Sequence, residues 1–327
     1  MRVFLISILK FILFTVTFYV VFICIWGTIF PAFLRPNVHK AEDVSGFTNI
    51  RLAEAAIAKN VDILFLGSSR AYRAFDNRIF SLSGYSSFNL GTSNQTPVQS
   101  FFLLKKYFAN LQPKMVIFEV NPDIFSGDGT ESTVDLISNT KPDINLLLMA
   151  RASKNIKAWN SFIYSSFSHL IQNKLPQQKN NTQNDLQYIK GGFARTSDNF
   201  YHTNNGNYYY CHLNINQLVV FEKMILFLKN NGIRTILVQA PVVKKLYLSC
   251  AENERFDSIM IAHGDYYNFN LTSVQSKFTN NHATSDVFSD YKITDTIYFS
   301  DGQHLNQKGV VFFNQMILNL LKKPNNQ

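Results

Sequence analysis

Four short polar segments of this 327-residue chain contain the residue types that serine-nucleophile chemistry requires. The segments are Gly67-Ser68-Ser69, Asn89-Leu90-Gly91, Glu119-Val120-Asn121-Pro122 and Asp301-Gly302-Gln303-His304. A serine hydroxyl is a weak nucleophile unless a base takes its proton, and a histidine oriented by a carboxylate does this near neutral pH. Ser69, His304 and Asp301 are therefore the candidate nucleophile, base and orienting acid.

The oxyanion of an acyl-transfer intermediate needs convergent hydrogen-bond donors. We expect these to be the backbone N–H groups of Ser69 and Gly91 and the side-chain amide of Asn121. Taken alone, each candidate has a plainer role: a helix cap, a strand-ending glycine, a turn residue before proline or a packed histidine. The catalytic hypothesis depends on the order and spacing of all of them together.

Alternating strands and helices would bring these segments to one edge of a sheet. An apolar run from Val61 to Leu66 ends at Gly67, where a tight turn favours a residue without Cβ. Further strands are predicted at 87–91, 115–120, 234–240 and 266–270, and helices at 49–59, 97–110, 217–230 and 306–322. This spacing is typical of parallel βαβ units with both sheet faces covered, whose ligands bind at the carboxyl edge.

The pattern loosens between about 125 and 215. We expect two helices from Asp135 to His169, a polar low-complexity loop over 174–185, and then the runs Gly191-Gly192 and Tyr208-Tyr209-Tyr210. We interpret this region as an insertion over the carboxyl edge of the sheet. The three tyrosines either line a sugar-binding groove or belong to the core.

The amino end is predicted to be a membrane anchor. From Phe11 to Phe30 there are twenty residues without a charge, and a helix of that length crosses the hydrocarbon core of a bilayer, roughly 30 Å thick. A cleaved signal peptide is the alternative, but its apolar region is normally about 7–15 residues and ends at a small-residue cleavage site. The segment Gly27-Thr28-Ile29-Phe30-Pro31 lacks such a site.

Arg2 and Lys10 precede this span, which places the amino end in the cytoplasm, although Arg35 and Lys40 beyond it weaken the argument. We therefore predict a single-pass protein of the cytoplasmic (inner) membrane. Residues 1–35 would be the anchor, and residues 36–327 one extracytoplasmic domain.

Composition excludes few functions but indicates a globular domain, since 46% of residues are hydrophobic and 14% aromatic. The net charge of +9 is scattered, which argues against nucleic-acid binding and fits an anionic polymer, a lipid surface or an incidental excess. Arg70 and Arg73 either meet an anionic substrate or, more plainly, are surface charges on a helical turn.

Cysteine and histidine spacing predicts no metal site and no cofactor. Of the three cysteines, Cys211 and Cys250 could pair in an oxidising compartment, and Cys24 follows Ile23, which is too large for a lipoprotein box. No ligand spacing is formed by His39, His169, His202, His212, His263 and His282.

On these motifs the chain resembles the SGNH hydrolases, also called GDSL-like, whose four blocks are named for Ser, Gly, Asn and His. Gly67-Ser68-Ser69, Gly91 and Asn121 match the first three blocks, and Asp301-x-x-His304 matches the Asp-x-x-His block. The resemblance covers roughly residues 60–125 and 230–320. It implies a flavodoxin-like three-layer α/β/α fold with Ser69 as nucleophile.

The chain departs from the family pattern at three positions. Ser68 stands where many members have Asp, outside the four named positions. Glu119 and Pro122 stand where the usual third block has Gly and Asp, which changes the shape beside Asn121. The amino-terminal anchor makes the chain similar to a membrane-anchored branch that helps to acylate extracytoplasmic glycans or teichoic acids, often beside a multispanning membrane O-acyltransferase.

The leading hypothesis is thus a membrane-anchored serine esterase or O-acyltransferase, with acetyl as the acyl group implied by the resemblance. Its expected partners are an acylated carbohydrate or cell-envelope polymer and a multispanning membrane O-acyltransferase. The alternatives are a catalytically silent scaffold of such an acyltransferase and a glycan-binding module that uses the aromatic insertion.

Overall fold

The computed structural model describes residues 1–38, 46–172, 182–183, 185–196, 211–271 and 296–322. Its strands in chain order are β1 (Ile63–Leu66), β2 (Ser87–Asn89), β3 (Met115–Glu119), β4 (Thr182–Gln183), β5 (Leu186–Ile189), β6 (Phe193–Thr196), β7 (Arg234–Gln239) and β8 (Asp265–Asn268). Five of them form a parallel sheet in the order β2-β1-β3-β7-β8. Flavodoxin-like doubly wound folds have this strand order, so the predicted fold class is confirmed.

The described residues form thirteen helices, several of which cover the two faces of this sheet. They are α1 (Arg2–Ile29), α2 (Thr48–Ile57), α3 (Ser69–Ala74), α4 (Asn77–Leu82), α5 (Pro97–Leu111), α6 (Pro122–Ser126), α7 (Thr130–Asn139), α8 (Ile144–Ser153), α9 (Ile156–Gln172), α10 (Ile215–Asn230), α11 (Lys244–Leu248), α12 (Asn253–His263) and α13 (Gln307–Lys322), with 3-10 turns at Ala32–Leu34 and Thr296–Tyr298.

The two faces of β1 define the layers, because successive side chains of a strand point to opposite sides. Leu64 and Leu66 pack into a core shared with α2, α5, α10 and α12. Ile63 and Phe65 pack into a second core shared with α3, α4 and α13. All four side chains are fully buried, which is why this strand is a continuous apolar run rather than an alternating one.

The last helix is fastened to the segment that follows the first strand. Asn314 of α13 is fully buried. Its amide donates to the carbonyl of Ala74 at 2.6 Å and its oxygen accepts from the N–H of Asp76 at 3.2 Å. The ring of Phe313 packs on the ring of Phe75, with 5.4 Å between their centroids. α13 therefore lies against the connection between α3 and α4.

The region of the predicted insertion differs from expectation. Three helices, α7, α8 and α9, occupy 130–172 where two were predicted, and β4, β5 and β6 form an antiparallel sheet that periodicity did not indicate. The turn before β6 closes on β2, where the N–H of Asn89 donates to the carbonyl of Gly191 at 2.7 Å. Most of the 174–185 loop and all of Tyr208-Tyr209-Tyr210 lie outside the described residues.

The predicted apolar helix at the amino end is present. α1 has 28 residues and is long and apolar enough to cross a membrane. Its carboxyl-terminal half packs on α9: the Tyr19 hydroxyl donates to Asn160 Oδ1 at 2.5 Å. The ring of Tyr164 lies directly over Gly27, where a Cβ would come within 2.3 Å of it. The helix is therefore joined to the rest of the fold by side-chain contacts.

Cys211 and Cys250 form a disulfide that links the chain before α10 to the chain after α11, across 39 residues. We expect the double variant Cys211→Ser/Cys250→Ser to lose about 2–4 kcal/mol of unfolding free energy, because the unfolded chain gains loop entropy. Urea denaturation checks this, and the wild type in reductant serves as the control and should match the variant. An unchanged midpoint in both would contradict the prediction.

Candidate active site

The structure brings Ser69, His304 and Asp301 into one hydrogen-bonded chain. Ser69 Oγ lies 2.8 Å from His304 Nε2. His304 Nδ1 lies 2.9 and 2.8 Å from the two carboxylate oxygens of Asp301. Since Nδ1 faces only acceptors, the pattern assigns the imidazole proton to Nδ1 and leaves Nε2 to accept from the serine hydroxyl.

Asp301 and His304 share a tight loop between the 3-10 turn at Thr296–Tyr298 and α13. The loop closes through a bridge between Phe299 and Leu305. Asp301 Oδ1 also accepts from the backbone N–H groups of Gln303 at 2.8 Å and His304 at 2.9 Å. This is an Asx-type turn, so the aspartate fixes the loop and the imidazole at the same time.

Ser69 is the first residue of α3, and the cap of that helix is the preceding residue. Ser68 Oγ accepts from the N–H of Arg70 at 3.3 Å and donates to Glu119 Oε2 at 3.1 Å. The plainer role for Ser69, a helix cap, thus belongs to Ser68 instead. Ser69 keeps its hydroxyl for His304, and its N–H, as the first of a helix, has no intrahelical acceptor.

Gly67 forms the turn between β1 and the segment that carries Ser69. Its φ is +135°, and a Cβ there would lie 2.8 Å from both the Cβ and the carbonyl oxygen of Glu119. The parallel register of Leu66 with Phe118 explains this approach, because it sets 67–69 beside 119–121. A side chain at this position is excluded by both backbone conformation and space.

We expect Gly67→Ala to destabilise the fold by at least about 2 kcal/mol and to displace Ser69, since the strain cannot be relieved without moving β3. Thermal unfolding and the rate of Ser69 labelling by a fluorophosphonate measure the two effects. Gly84→Ala is the matched control: its φ is +84°, but a Cβ there meets no atom within 4 Å. A Gly67→Ala protein with the stability and labelling rate of Gly84→Ala would contradict the prediction.

The predicted oxyanion donors lie at the same edge of the sheet, but they have different hydrogen-bond partners in this structure. Gly91 approaches the nucleophile segment closely, since a Cβ there would lie 3.0 Å from the carbonyl oxygens of Gly67 and Ser68. Its N–H donates to Asn89 Oδ1 at 3.1 Å. The Gly91 N–H must therefore be shared with, or released from, Asn89 to serve as a donor.

Asn121 directly precedes α6, at its N-cap position, and is 5% exposed. Its amide satisfies its neighbours in one orientation: the oxygen accepts from Arg70 Nη1 at 3.0 Å and Nε at 3.3 Å, and the nitrogen donates to Asp123 Oδ1. The side chain is held by two charged residues rather than by the backbone of its own helix.

Of the two arginines after Ser69, Arg70 is buried and Arg73 is half-buried, so their interpretation as surface charges on a helical turn is wrong. Arg70 is 4% exposed and Arg73 has 14% of its side chain exposed. Arg73 Nη1 lies 3.6 Å from Asp301 Oδ2, and its Nη2 donates to the hydroxyls of Thr196 and Ser300, each at 3.3 Å. Arg73 thus ties the helix of Ser69 to the Asp301 loop and to β6.

The surroundings shift the pKa values of His304 and Asp301. Burial lowers the pKa of His304 to about 4; Arg73 adds to this shift, and the hydrogen bond with Asp301 opposes it. Burial alone would raise the pKa of Asp301, but His304, the backbone N–H of Gln303 and the charge of Arg73 together outweigh it and hold that pKa well below its usual range. The imidazole is therefore neutral, and able to accept a proton, at neutral pH.

Sequence reasoning gave no role to Glu119, which is 1% exposed at the end of β3. Burial raises its pKa, and Arg70, with Nε 3.8 Å from Oε1, opposes the rise. A carboxyl at the end of an otherwise apolar strand was the available signal. No cluster of three or more potential metal ligands occurs among the described residues.

The sequence matches no protein-family model and no curated protein. Among solved structures, it is similar to a GDSL-like lipase from Bacteroides thetaiotaomicron VPI-5482, with 13% identity, a TM-score of 0.40, and 84% of this chain and 98% of that chain covered. A candidate acylhydrolase from Bacteroides fragilis NCTC 9343 is similar at 13% identity and a TM-score of 0.39, with coverage of 85% and 98%. Likeness of this size does not define a family, so the function is inferred from the site itself.

Proposed function

We propose that this protein is a serine esterase or O-acyltransferase with Ser69 as nucleophile, His304 as general base and Asp301 as orienting acid. One observation carries the proposal: the unbroken hydrogen-bonded chain from Ser69 Oγ through the imidazole to the carboxylate. Three residues in these roles and in this order are the arrangement by which serine hydrolases activate a hydroxyl.

In the proposed reaction Ser69 Oγ attacks an ester carbonyl while its proton passes to His304 Nε2. Asp301 stabilises the imidazolium, and the N–H of Ser69, with Asn121 and Gly91, donates to the oxyanion. The imidazolium then gives its proton to the leaving alkoxide as the acyl-enzyme forms. Water or a carbohydrate hydroxyl, deprotonated by His304, attacks the acyl group, and the imidazolium returns the proton to Ser69 Oγ as the acyl–serine bond breaks. None of these steps requires a metal or cofactor.

We further propose that α1 is a retained membrane anchor and that the remainder works outside the cytoplasm. Cleavage after α1 would expose the cluster that Ile23 forms with Val38 and Tyr164, and would leave Asn160 without the Tyr19 hydroxyl. The Cys211–Cys250 disulfide supports an oxidising compartment. The acetyl group, the envelope carbohydrate and the multispanning acyltransferase partner follow from the family resemblance.

A fluorophosphonate probe tests the proposal on the full chain in detergent, with the labelled residue identified by mass spectrometry. We expect one adduct, on Ser69, and turnover of a small aryl ester. Mass spectrometry of envelope polysaccharide from cells with and without the gene should show a changed acyl content. Absence of labelling, together with co-purification of an integral membrane partner, would support the scaffold alternative instead.

A further inference from the structure

Arg70 follows the proposed nucleophile directly, yet no step of the proposed reaction uses it. The residue is almost fully buried, and three polar side chains of the β3–α6 segment surround its guanidinium. They are Glu119, Asn121 and Asp123. A buried arginine must have partners for its charge, because burying a charge is costly unless it is paired and hydrogen-bonded.

The guanidinium nitrogens are divided between Asp123 and Asn121, with Glu119 nearby. Nη2 forms an ion pair with Asp123 Oδ2. With the Asn121 amide assigned the orientation that satisfies its neighbours, Nη1 and Nε both donate to its side-chain oxygen, at 3.0 and 3.3 Å. Glu119 Oε1 lies 3.8 Å from Nε and has no hydrogen-bond partner of its own among the described residues. The fork is therefore directed at one oxygen of Asn121 and balanced by two carboxyl groups.

This arrangement decides which end of the Asn121 amide is available to a substrate. A guanidinium only donates, so it holds the amide oxygen towards itself. Asp123 Oδ1 accepts from the amide nitrogen on the other side, which leaves that nitrogen one N–H to donate elsewhere. A reversed amide would instead present lone pairs to a developing oxyanion and repel it.

We propose that Arg70 is a positioning residue that fixes the Asn121 amide in the orientation in which its nitrogen donates to the oxyanion. The inference rests on the proposed function and adds to it the group that aims one donor. The register of β1 with β3 makes this possible, because it sets residues 67–69 beside 119–121. Lysine cannot replace Arg70, since a single ammonium lacks the planar fork that meets Asn121 and Asp123 together.

A double-mutant cycle on the full chain tests this, with Arg70→Met, Asn121→Ala and the double variant. Removal of one oxyanion donor typically lowers kcat about 10²–10³-fold. We expect each single variant to lose kcat in about that range with KM unchanged, and the rate of fluorophosphonate labelling to fall in parallel. In the Asn121→Ala background, Arg70→Met should have almost no further effect, because the group that it orients is gone.

A purely structural role, or direct stabilisation of the oxyanion by the Arg70 charge, would lower kcat equally in both backgrounds and would overturn the proposal. Arg70→Lys should resemble Arg70→Met; wild-type rates in the lysine variant would also overturn it. Arg78→Met is the control for loss of an arginine, since the Arg78 side chain is 45% exposed and binds only Asp76 among the ion pairs found.

A second variant covers failure of Arg70→Met to fold. Asp123→Asn conserves the shape of the side chain but removes the charge that holds both Arg70 and the Asn121 nitrogen. We expect this variant to lose less kcat than Arg70→Met. In the Asn121→Ala background, Asp123→Asn should cause no further loss. An undiminished kcat would overturn the proposal. A wild type that neither labels nor turns over ester would instead refute the proposed function, so the two failures are distinguishable.

Discussion

Ser69→Ala is expected to abolish ester turnover and fluorophosphonate labelling while the protein stays folded. Loss of a triad nucleophile in serine hydrolases lowers kcat by about 10⁴–10⁶-fold. The side chain loses only a hydroxyl, and the helix keeps its cap because Ser68 supplies it. We expect thermal unfolding within about 1 kcal/mol of the wild type. Initial rates on an aryl ester, with active-site titration, measure the effect.

The neighbouring serine provides the discriminating comparison. Ser68→Ala removes a helix cap, at a cost of about 1 kcal/mol, and leaves the Ser69–His304 contact in place. That variant should still be labelled, and on Ser69. Labelling that survives in Ser69→Ala and disappears in Ser68→Ala would show that the neighbouring hydroxyl is the nucleophile. Full activity in both variants would refute a serine mechanism at this position.

The second large effect is on pH dependence. His304 accepts a proton only when neutral, and its pKa is lowered to about 4, first by burial. The acid limb of kcat/KM should therefore lie near pH 4, well below the value of about 6.5 for an unperturbed imidazole. Activity should fall as pH decreases through this limb. His304→Ala should lose about as much activity as Ser69→Ala, because the base and the nucleophile act as a unit.

A variant of Arg73 tests the direction of the pKa shift of His304. Its positive charge lowers the pKa of His304, so Arg73→Gln should raise that pKa and move the acid limb towards neutral pH. Arg78→Gln is the control and should leave the limb in place, because the Arg78 side chain is 45% exposed and pairs with Asp76. A limb that stays near pH 4 in Arg73→Gln, or moves to lower pH, would contradict this account.

The main elements of the fold were accessible from sequence because burial on both faces leaves a direct pattern. β1 is predicted from its apolar run, and α5 from Pro97 and an apolar face, within one or two residues of their ends. The strand order of a flavodoxin-like fold was expected only from the family resemblance. The antiparallel sheet β4-β5-β6 was missed because its strands have two to four residues, too few to establish a period.

The site was accessible only in part, for a related reason. Ser69 and His304 lie at breaks in the hydrophobic pattern of the sequence, and each belongs to a recognisable local motif. Arg70 gives no such signal, since its burial depends on Asp123, 53 residues away, and on the exact register of β1 with β3. Contacts between segments that are distant in the chain leave no periodicity in either segment, so the charged network could not be predicted.

The attachment of α13 through Asn314 has a consequence for when this protein can act during its synthesis. Ser69 and His304 are separated by 235 positions, and the loop that carries the imidazole is followed by the helix that holds it against the α3–α4 connection. A nascent chain that has completed all five strands of the parallel sheet still lacks both His304 and this helix. An emerging polypeptide would thus remain chemically inert, even beside abundant substrate, until His304 and α13 had been synthesised and packed.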